Sequence, residues 1–394
     1  MKPKVFIGFA AVTVIAVVGA GYSIATHYFN RVGPVEQERV FPGLTQNQAE
    51  IGSISVQTAK ETLTAKNEGG KWSIVERSGY PGSDAKMEKV MLALAELRFS
   101  EPKTKMKDRY KRLAVEDLGE KNAQSRRLTV KDKDGKVLAD LIVGRQNRAI
   151  SGPTGTGLYI RKPGDAQSWL AIGVLDVPKE PKDWIDPKIM NVAKNRIRKG
   201  VIVHPDGKKF IIEKKQQVEK NFTLVDKPEG RKVKYESDIQ NVGQGLEDFE
   251  VDDVRKADKV TFPADKLVKT EYRTFDGLVV DVVSYEGKTE DEGFWAKFTA
   301  SVDEDAAKAA MASASAADDA KKPEAAGKNG AKAGDDKDAK DDEATKPIDV
   351  HKEAAQINAT VGGWAFKIPA YKYRYMSRTV EEVLEKAGDK KKGS

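Results

Sequence analysis

"GKWSIVERSGYPGSDAKMEKVMLALAEL", Gly70 to Leu97, and "KNFTLVDKPEGRKVKYESDIQNVGQGLEDF", Lys220 to Phe249, decide the reading of the fold. Each places an aromatic residue in a short apolar alternation, then a turn rich in Pro, Gly and charge, then a helical pattern. Trp72 and Ile74 alternate with polar residues as a half-buried strand does. Ser83 or Asp84 is placed to cap the following helix by accepting its free N–H groups. Val90, Leu94 and Leu97 recur there at three- and four-residue spacing. In the second stretch Phe222 stands for Trp72. Tyr235 to Phe249 stands for the helix, weakened by Gly243 and Gly245 at up to about 1 kcal/mol each.

The flanks repeat in the same order. Ile51 to Val56 alternates as a strand, and "ETLTAKNEGGKWSIVER" reads as two strands joined at Asn67 to Gly70. Leu128 to Val130 and Val137 to Val143 flank a hairpin turn at Asp134-Gly135. "GLYIRKPGDAQSWLAI" supplies two strands turning at Pro163-Gly164. "PKDWIDPKIMNVAKNRI" closes the unit with a short helix, Pro187 fitting the first turn. The second half answers with hairpins at Asp206-Gly207 and Asp276-Gly277. "GFWAKFTASV" follows, and a closing stretch where Trp364 stands for Trp169 precedes a helix near Val380 to Leu384. The predicted architecture is α+β: two repeated units of antiparallel sheet plus helix, at 51–198 and 199–394.

An N-terminal transmembrane helix precedes them. From Val5 to Ala25 no residue is charged, and about 21 residues of helix span about 31 Å, against roughly 30 Å of hydrocarbon. Lys2 and Lys4 precede the segment, which keeps the N-terminus cytoplasmic and exports the rest. Residues 1–30 are thus assigned as a membrane anchor and 31–50 as a connector. The length favours a retained anchor over a cleaved signal peptide, for which Ser23-Ile24-Ala25 would be the processing site. The expected topology is a cytoplasmic N-terminus with the bulk of the chain exported across the membrane. Residues from about 303 to 347 are almost wholly Ala, Lys, Asp, Glu and Gly. Such a segment cannot bury enough apolar surface to offset its ordering entropy, and it reads as a disordered insertion in the second unit.

Composition narrows the chemistry. The chain has 394 residues, 39% hydrophobic and 33% charged, and its 68 basic and 61 acidic side chains leave a net charge of +7. Interspersed signs argue against nucleic-acid binding, which gathers Lys and Arg on one face. The absence of cysteine removes disulfides, thiolate chemistry and the common zinc sites. His27, His204 and His351 do not fall in a metal-binding spacing. "SGPTGTGLYI" lacks the Lys and Ser/Thr of a P-loop, and "DKDGK" lacks the glutamate that completes a calcium loop. No catalytic, cofactor-binding or metal residue is assigned. Trp72, Trp169, Trp295 and Trp364 read as sheet packing. Trp184, Tyr371, Tyr373 and Tyr375 form the candidate partner surface, with Lys372 and Arg374 beside them.

"FPGLT" after the apolar segment, "GGKWSIVERSGYP" with "LALAEL", "KDGKVLADLIVG" and "SWLAI" resemble the bacterial domain-of-unknown-function 4340 family. The resemblance covers Phe41 to Ile197 well and the remainder more loosely. It implies a protein anchored in a bacterial inner membrane, the bulk of the chain periplasmic, with an exported repeat region that accompanies gliding-motility-type ABC transporters. The expected function is therefore that of a non-enzymatic accessory subunit, with an ABC-type permease or its exported domain as partner. The resemblance carries over no catalytic residue, and the Ala/Lys/Asp insertion departs from the family pattern. A glycan- or lipid-binding envelope module near Trp184 and Tyr371 is the alternative, and a hydrolase with an unrecognised carboxylate pair the third reading. The oligomeric state is open.

Overall fold

The structure, a computed structural model, describes residues 38–152, 155–289, 292–320 and 348–385. The anchor reading, Val5 to Ala25 with His27, lies outside the described residues. Among those residues no helix is long and apolar enough to cross a membrane.

The architecture is sheet-rich α+β, with large antiparallel sheets and seven α-helices among the described residues. The chain divides into two compact units, Met1–Ile51, Gln57–Glu61 and Lys89–Val177 forming one and Gly52–Val56, Thr62–Glu88 and Pro178–Ser394 the other. The early strands are β1 (Ile51–Gln57), β2 (Thr62–Glu68), β3 (Lys71–Ile74) and β4 (Tyr80–Pro81). After the helix Asp84–Ala95 come β5 (Arg98–Pro102) and the helix Lys107–Leu113. Then follow β6 (Arg126–Asp132), β7 (Val137–Gly152), β8 (Gly155–Arg161) and β9 (Ser168–Gly173).

In the first unit β6 to β9 pair in sequence and β5 closes the run beside β9, giving the order β6-β7-β8-β9-β5. The turn dipeptides sit where the sequence puts them. Gly135 and Gly164 adopt φ of 86° and 80°, values open to glycine because it lacks a Cβ. The core of this unit includes Tyr110, Val115 and Ile142. A buried arginine is satisfied beside it: Arg161 donates from Nε to the Val115 carbonyl at 2.9 Å and pairs with Asp117 at 2.5 Å. Its guanidinium lies 4.6 Å from the Tyr110 ring centroid. The glycine-rich stretch is structural. A Cβ on Gly155 would meet the Gly173 backbone at 2.4 Å, so neighbouring strands approach too closely there for a side chain.

The second unit adds β10 (Lys188–Met190), β11 (Ile197–Val203), β12 (Lys209–Glu213) and β13 (Thr223–Val225). The helix Glu236–Val242 leads to β14 (Phe249–Glu250) and β15 (Asp253–Lys256). β16 (Val268–Thr274), β17 (Leu278–Glu286), β18 (Phe294–Val302) and β19 (Trp364–Ile368) complete the strands. Eight of them form one sheet in the order β13-β12-β11-β16-β17-β18-β19-β15, and β10 and β14 form a separate pair. The run β16-β17-β18-β19-β15 thus has the same connectivity as β6-β7-β8-β9-β5. Apolar residues at helical spacing, Val350, Ala354, Ile357 and Val361, bury one face of the helix Val350–Val361. Asp349 caps it by accepting from the Lys352 N–H. Asn358 acts as a strand mimic: its amide donates to the Ala300 carbonyl at 2.7 Å and accepts from the Ala300 N–H at 2.9 Å.

Three expectations are corrected. Glu304–Ala320 is helical where composition predicts disorder. Alanine has the best helix propensity, Glu304 and Asp305 suit the first turn, and Ala307 is buried. Residues 321–347 lie outside the described residues. The closing helix expected near Ile189 to Ile197 is absent; β10 pairs with β14 and a single 3-10 turn, Lys194–Arg196, enters β11. The pairing with β14 supplies partners that a short isolated helix would not. The helical stretch predicted over Tyr235 to Phe249 stops at Val242, immediately before Gly243.

Candidate functional site

The helix Ala370–Met376, "AYKYRYM", follows Pro369 at the end of β19. Residues four apart share a helical face. Tyr371 and Tyr375 do so, with ring centroids 5.8 Å apart at 76°, an edge-to-face pair. Tyr371 is 43% exposed and Tyr375 half-buried, while Lys372 and Met376, each one position further on, are buried. Tyr373 leaves this face and stacks on Phe294 at 4.5 Å and 22°. Burial, and then Glu286, push its phenol up to about 12. The Tyr371 phenol is also raised, first by burial and then by Glu250, Tyr375, Asp252 and Asp248. Two of the four predicted surface residues therefore form a pair with carboxylates nearby, and the third belongs to a different packing cluster.

Lys372 fixes this helix. Its ammonium donates to the Gln244 carbonyl at 3.1 Å and to the Glu247 carbonyl. The same nitrogen lies 5.3 Å from the Phe249 ring centroid. Burial lowers its pKa to about 8, opposed by Glu247, Asp248 and Glu250. The carbonyls it holds belong to the turn after the helix Glu236–Val242, so the lysine ties the tyrosine pair to that turn.

Trp184 is not a surface residue. It is 1% exposed, and its carbonyl accepts from the Ser83 N–H at 2.9 Å. Its indole Nε1 has no hydrogen-bond partner among the described residues. The large ring serves packing, as aromatic side chains with most of their area in the interior do. The apolar neighbour Ile185, buried likewise, was the signal that "WID" faces inward.

Sequence reasoning missed a buried charge cluster built from distant stretches. Arg77 donates to both carboxylate oxygens of Asp253, at 2.6 and 3.2 Å. Arg255 reaches the same carboxylate at 2.8 Å. The Arg77 and Asp253 side chains are 4% and 11% exposed. Tyr80 packs edge-to-face against Trp364, with centroids 4.8 Å apart. Lys256 lies over the Trp364 ring at 3.8 Å. A buried charge survives when paired and hydrogen-bonded, and here two arginines converge on one carboxylate and also donate to the Glu76 and Val254 carbonyls, which suits a structural pair.

The histidines stand apart. His204 Nε2 donates to the Arg378 carbonyl at 3.0 Å, and His351 is exposed with Nε2 3.6 Å from Glu304. Among the described residues no group of three His, Cys, Asp or Glu could hold a metal.

No curated protein and no solved structure matches the chain. A family model, described as a domain of unknown function (DUF4340), matches residues 72–269. That span runs from Trp72 in β3 to Lys269 in β16 and contains the turn that Lys372 holds. The match lies further toward the C-terminus than the residues that carry the resemblance in the sequence, and it covers just over half of the chain. The chain belongs to the DUF4340 family.

Proposed function

We propose that this protein is a membrane-anchored, periplasmic, non-enzymatic subunit that binds partner proteins of an ABC-type envelope transport complex. The observation that carries the reading is the Tyr371–Tyr375 pair, Tyr371 exposed and Tyr375 half-buried, on a helix held in place by Lys372. Aromatic residues are enriched at the centres of protein interfaces because they bury large area at low entropic cost. Holding such a pair on a fixed helix lowers the cost of ordering it on binding. The apolar segment Val5 to Ala25 supplies the anchor, and confinement to the membrane raises the effective concentration of a partner without any new contact. The common order of β6-β7-β8-β9-β5 and β16-β17-β18-β19-β15 supports a chain built from two copies of one α+β unit, the second carrying the insertion.

Affinity purification of the detergent-solubilised full-length protein, with mass spectrometry of what accompanies it, tests this. A variant lacking Met1 to Tyr28, exported by a cleavable signal, is the control. Recovery of a permease and its ATPase with the anchored form is the expected outcome. Recovery of neither from membranes in which the protein is folded and anchored would overturn the reading.

A further inference from the structure

A cavity of about 440 Å³ opens in the second unit between the segment that follows β15 and the hairpin joining β17 to β18. Its size falls at the small end of ligand pockets, which run roughly 300 to 1,000 Å³. One wall is aromatic. Tyr285 and Trp295 are direct cross-strand partners and both line the cavity. This wall is held in place from behind. The Trp295 indole N–H donates to the Glu292 carbonyl at 2.9 Å, and Tyr285 packs edge-to-face on Phe262 at 5.0 Å. Lys297 in turn sits 4.1 Å from the Phe262 ring centroid.

The rim is cationic. Arg255, Lys259, Lys266 and Lys288 line the cavity, against the carboxylates of Glu286 and Glu292. Glu292 is engaged, its carboxylate accepting from the Lys288 N–H at 2.6 Å, and Arg255 is partly committed to Asp253. Lys259, Lys266 and Lys288 are exposed, and their ammonium groups each carry three donors. An aromatic wall held by its own contacts beside exposed cationic donors suits a ligand with one flat, C–H-rich face and an anionic substituent.

We infer that this cavity binds an anionic saccharide, a pyranose bearing phosphate or carboxylate. The sugar's C–H face lies on Trp295 and Tyr285, and its charged group is held by Lys259, Lys266 and Lys288. Charge-assisted hydrogen bonds to phosphate or carboxylate are the strong class. The wall is aromatic and shallow rather than a deep apolar slot, which selects a sugar over an acyl chain. This site is separate from the Tyr371–Tyr375 surface and does not depend on the partner-binding reading.

Isothermal titration calorimetry on the full chain in detergent tests the inference. The probes are glucose 6-phosphate, glucuronic acid, glucose, inorganic phosphate and adenosine 5′-monophosphate. Glucose 6-phosphate and glucuronic acid are expected to bind, with glucose and inorganic phosphate at least about ten-fold weaker. Affinity is expected to fall as salt rises, as screening requires. The exposed-residue variant Lys259→Ala/Lys266→Ala is expected to weaken glucose 6-phosphate binding by about ten-fold or more. The inference is overturned if neither sugar acid binds below about 10 mM. Glucose matching the sugar acids would remove the anion from the assignment. Inorganic phosphate matching them would remove the sugar, and tighter binding of adenosine 5′-monophosphate would replace it. A double variant that binds like the wild type would also contradict the inference.

Discussion

Gly245 lies against Tyr272: a Cβ there would meet the phenol oxygen at 2.1 Å. Gly243 lies against Phe222, with a Cβ 2.1 Å from its ring. In the sequence both glycines read only as helix weakeners. The structure gives them a second meaning, since two aromatic rings pack where their side chains would be. Overpacking of this kind costs about 1–3 kcal/mol, so Gly245→Ala is expected to lower stability by that amount in urea titration. Tyr272→Phe should recover part of the loss, because the ring carbon still lies 2.7 Å away. The Tyr272 hydroxyl is buried without a hydrogen-bond partner among the described residues. Tyr272→Phe alone is therefore expected to leave stability unchanged or raise it by about 1 kcal/mol; a loss above about 1 kcal/mol would reveal a partner for the hydroxyl.

The Arg77–Asp253 pair belongs to the same scale. Removing one partner strands a buried charge at a cost of about 3–5 kcal/mol. Asp253→Asn is expected to destabilise in that range, and Arg77→Met/Asp253→Leu to lose less than the sum of the two single changes. Equal additivity in denaturant titration would contradict a coupled pair. Neither residue announces the other in the sequence, 176 positions apart. Lys372 predicts a pH dependence. Its folded-state pKa, lowered to about 8 by burial, is below the unfolded value, so the unfolded chain binds more protons between about pH 8 and 10.5. Stability therefore carries a constant penalty below pH 8 and rises through that window. Between pH 8 and 10 this amounts to roughly 2 kcal/mol, before the raised tyrosines begin to act. Chemical denaturation across that range should show the rise in the wild type and a flatter profile in Lys372→Met.

At the scale of elements, turn chemistry was the most legible part of the sequence. Asp134-Gly135, Asp206-Gly207 and Asp276-Gly277 all close hairpins, with φ of 86°, 81° and 96° at the glycines. Strands whose faces alternate, such as β3 with Trp72 and Ile74 buried, were legible for the same local reason. Helix ends were less so. The helix Val380–Val383 falls where the repeat order puts it, and its start is fixed by a reciprocal capping box of Thr379 and Glu382 that the sequence reading did not use. The expected helix near Ile189 was not there, because a strand partner, β14, lies about 60 residues away and leaves no local trace. β5 has the same character: Arg98 to Pro102 pairs with β9, a long-range choice. The helix Glu304–Ala320 shows that alanine-rich composition alone does not separate helix from disorder. Its first turn is tied by Asp303, whose carboxylate accepts from the Ala306 N–H at 3.2 Å.

At the scale of the whole molecule, the family assignment is to a domain of unknown function over residues 72–269, and the aromatic helix Ala370–Met376 lies outside that span. The candidate surface was half legible. "YKYRY" marked an aromatic cluster, but the helix Ala370–Met376, which joins Tyr371 to Tyr375 and diverts Tyr373 onto Phe294, was not expected from the sequence. Nothing local separated buried Trp184 from exposed Tyr371 except its apolar neighbour Ile185. The saccharide cavity was not legible, because its cations come from a loop and a hairpin that meet only through the sheet.

The most direct test of the partner-binding reading is in-cell photocrosslinking from the Tyr371 position of the full-length, anchored protein. Val218, 84% exposed and outside the aromatic helix, is the control position. The account predicts a specific crosslink from position 371 to a transport permease or its exported domain, absent from position 218. No crosslink from 371 in folded, membrane-held protein, or the same products from both positions, would contradict it.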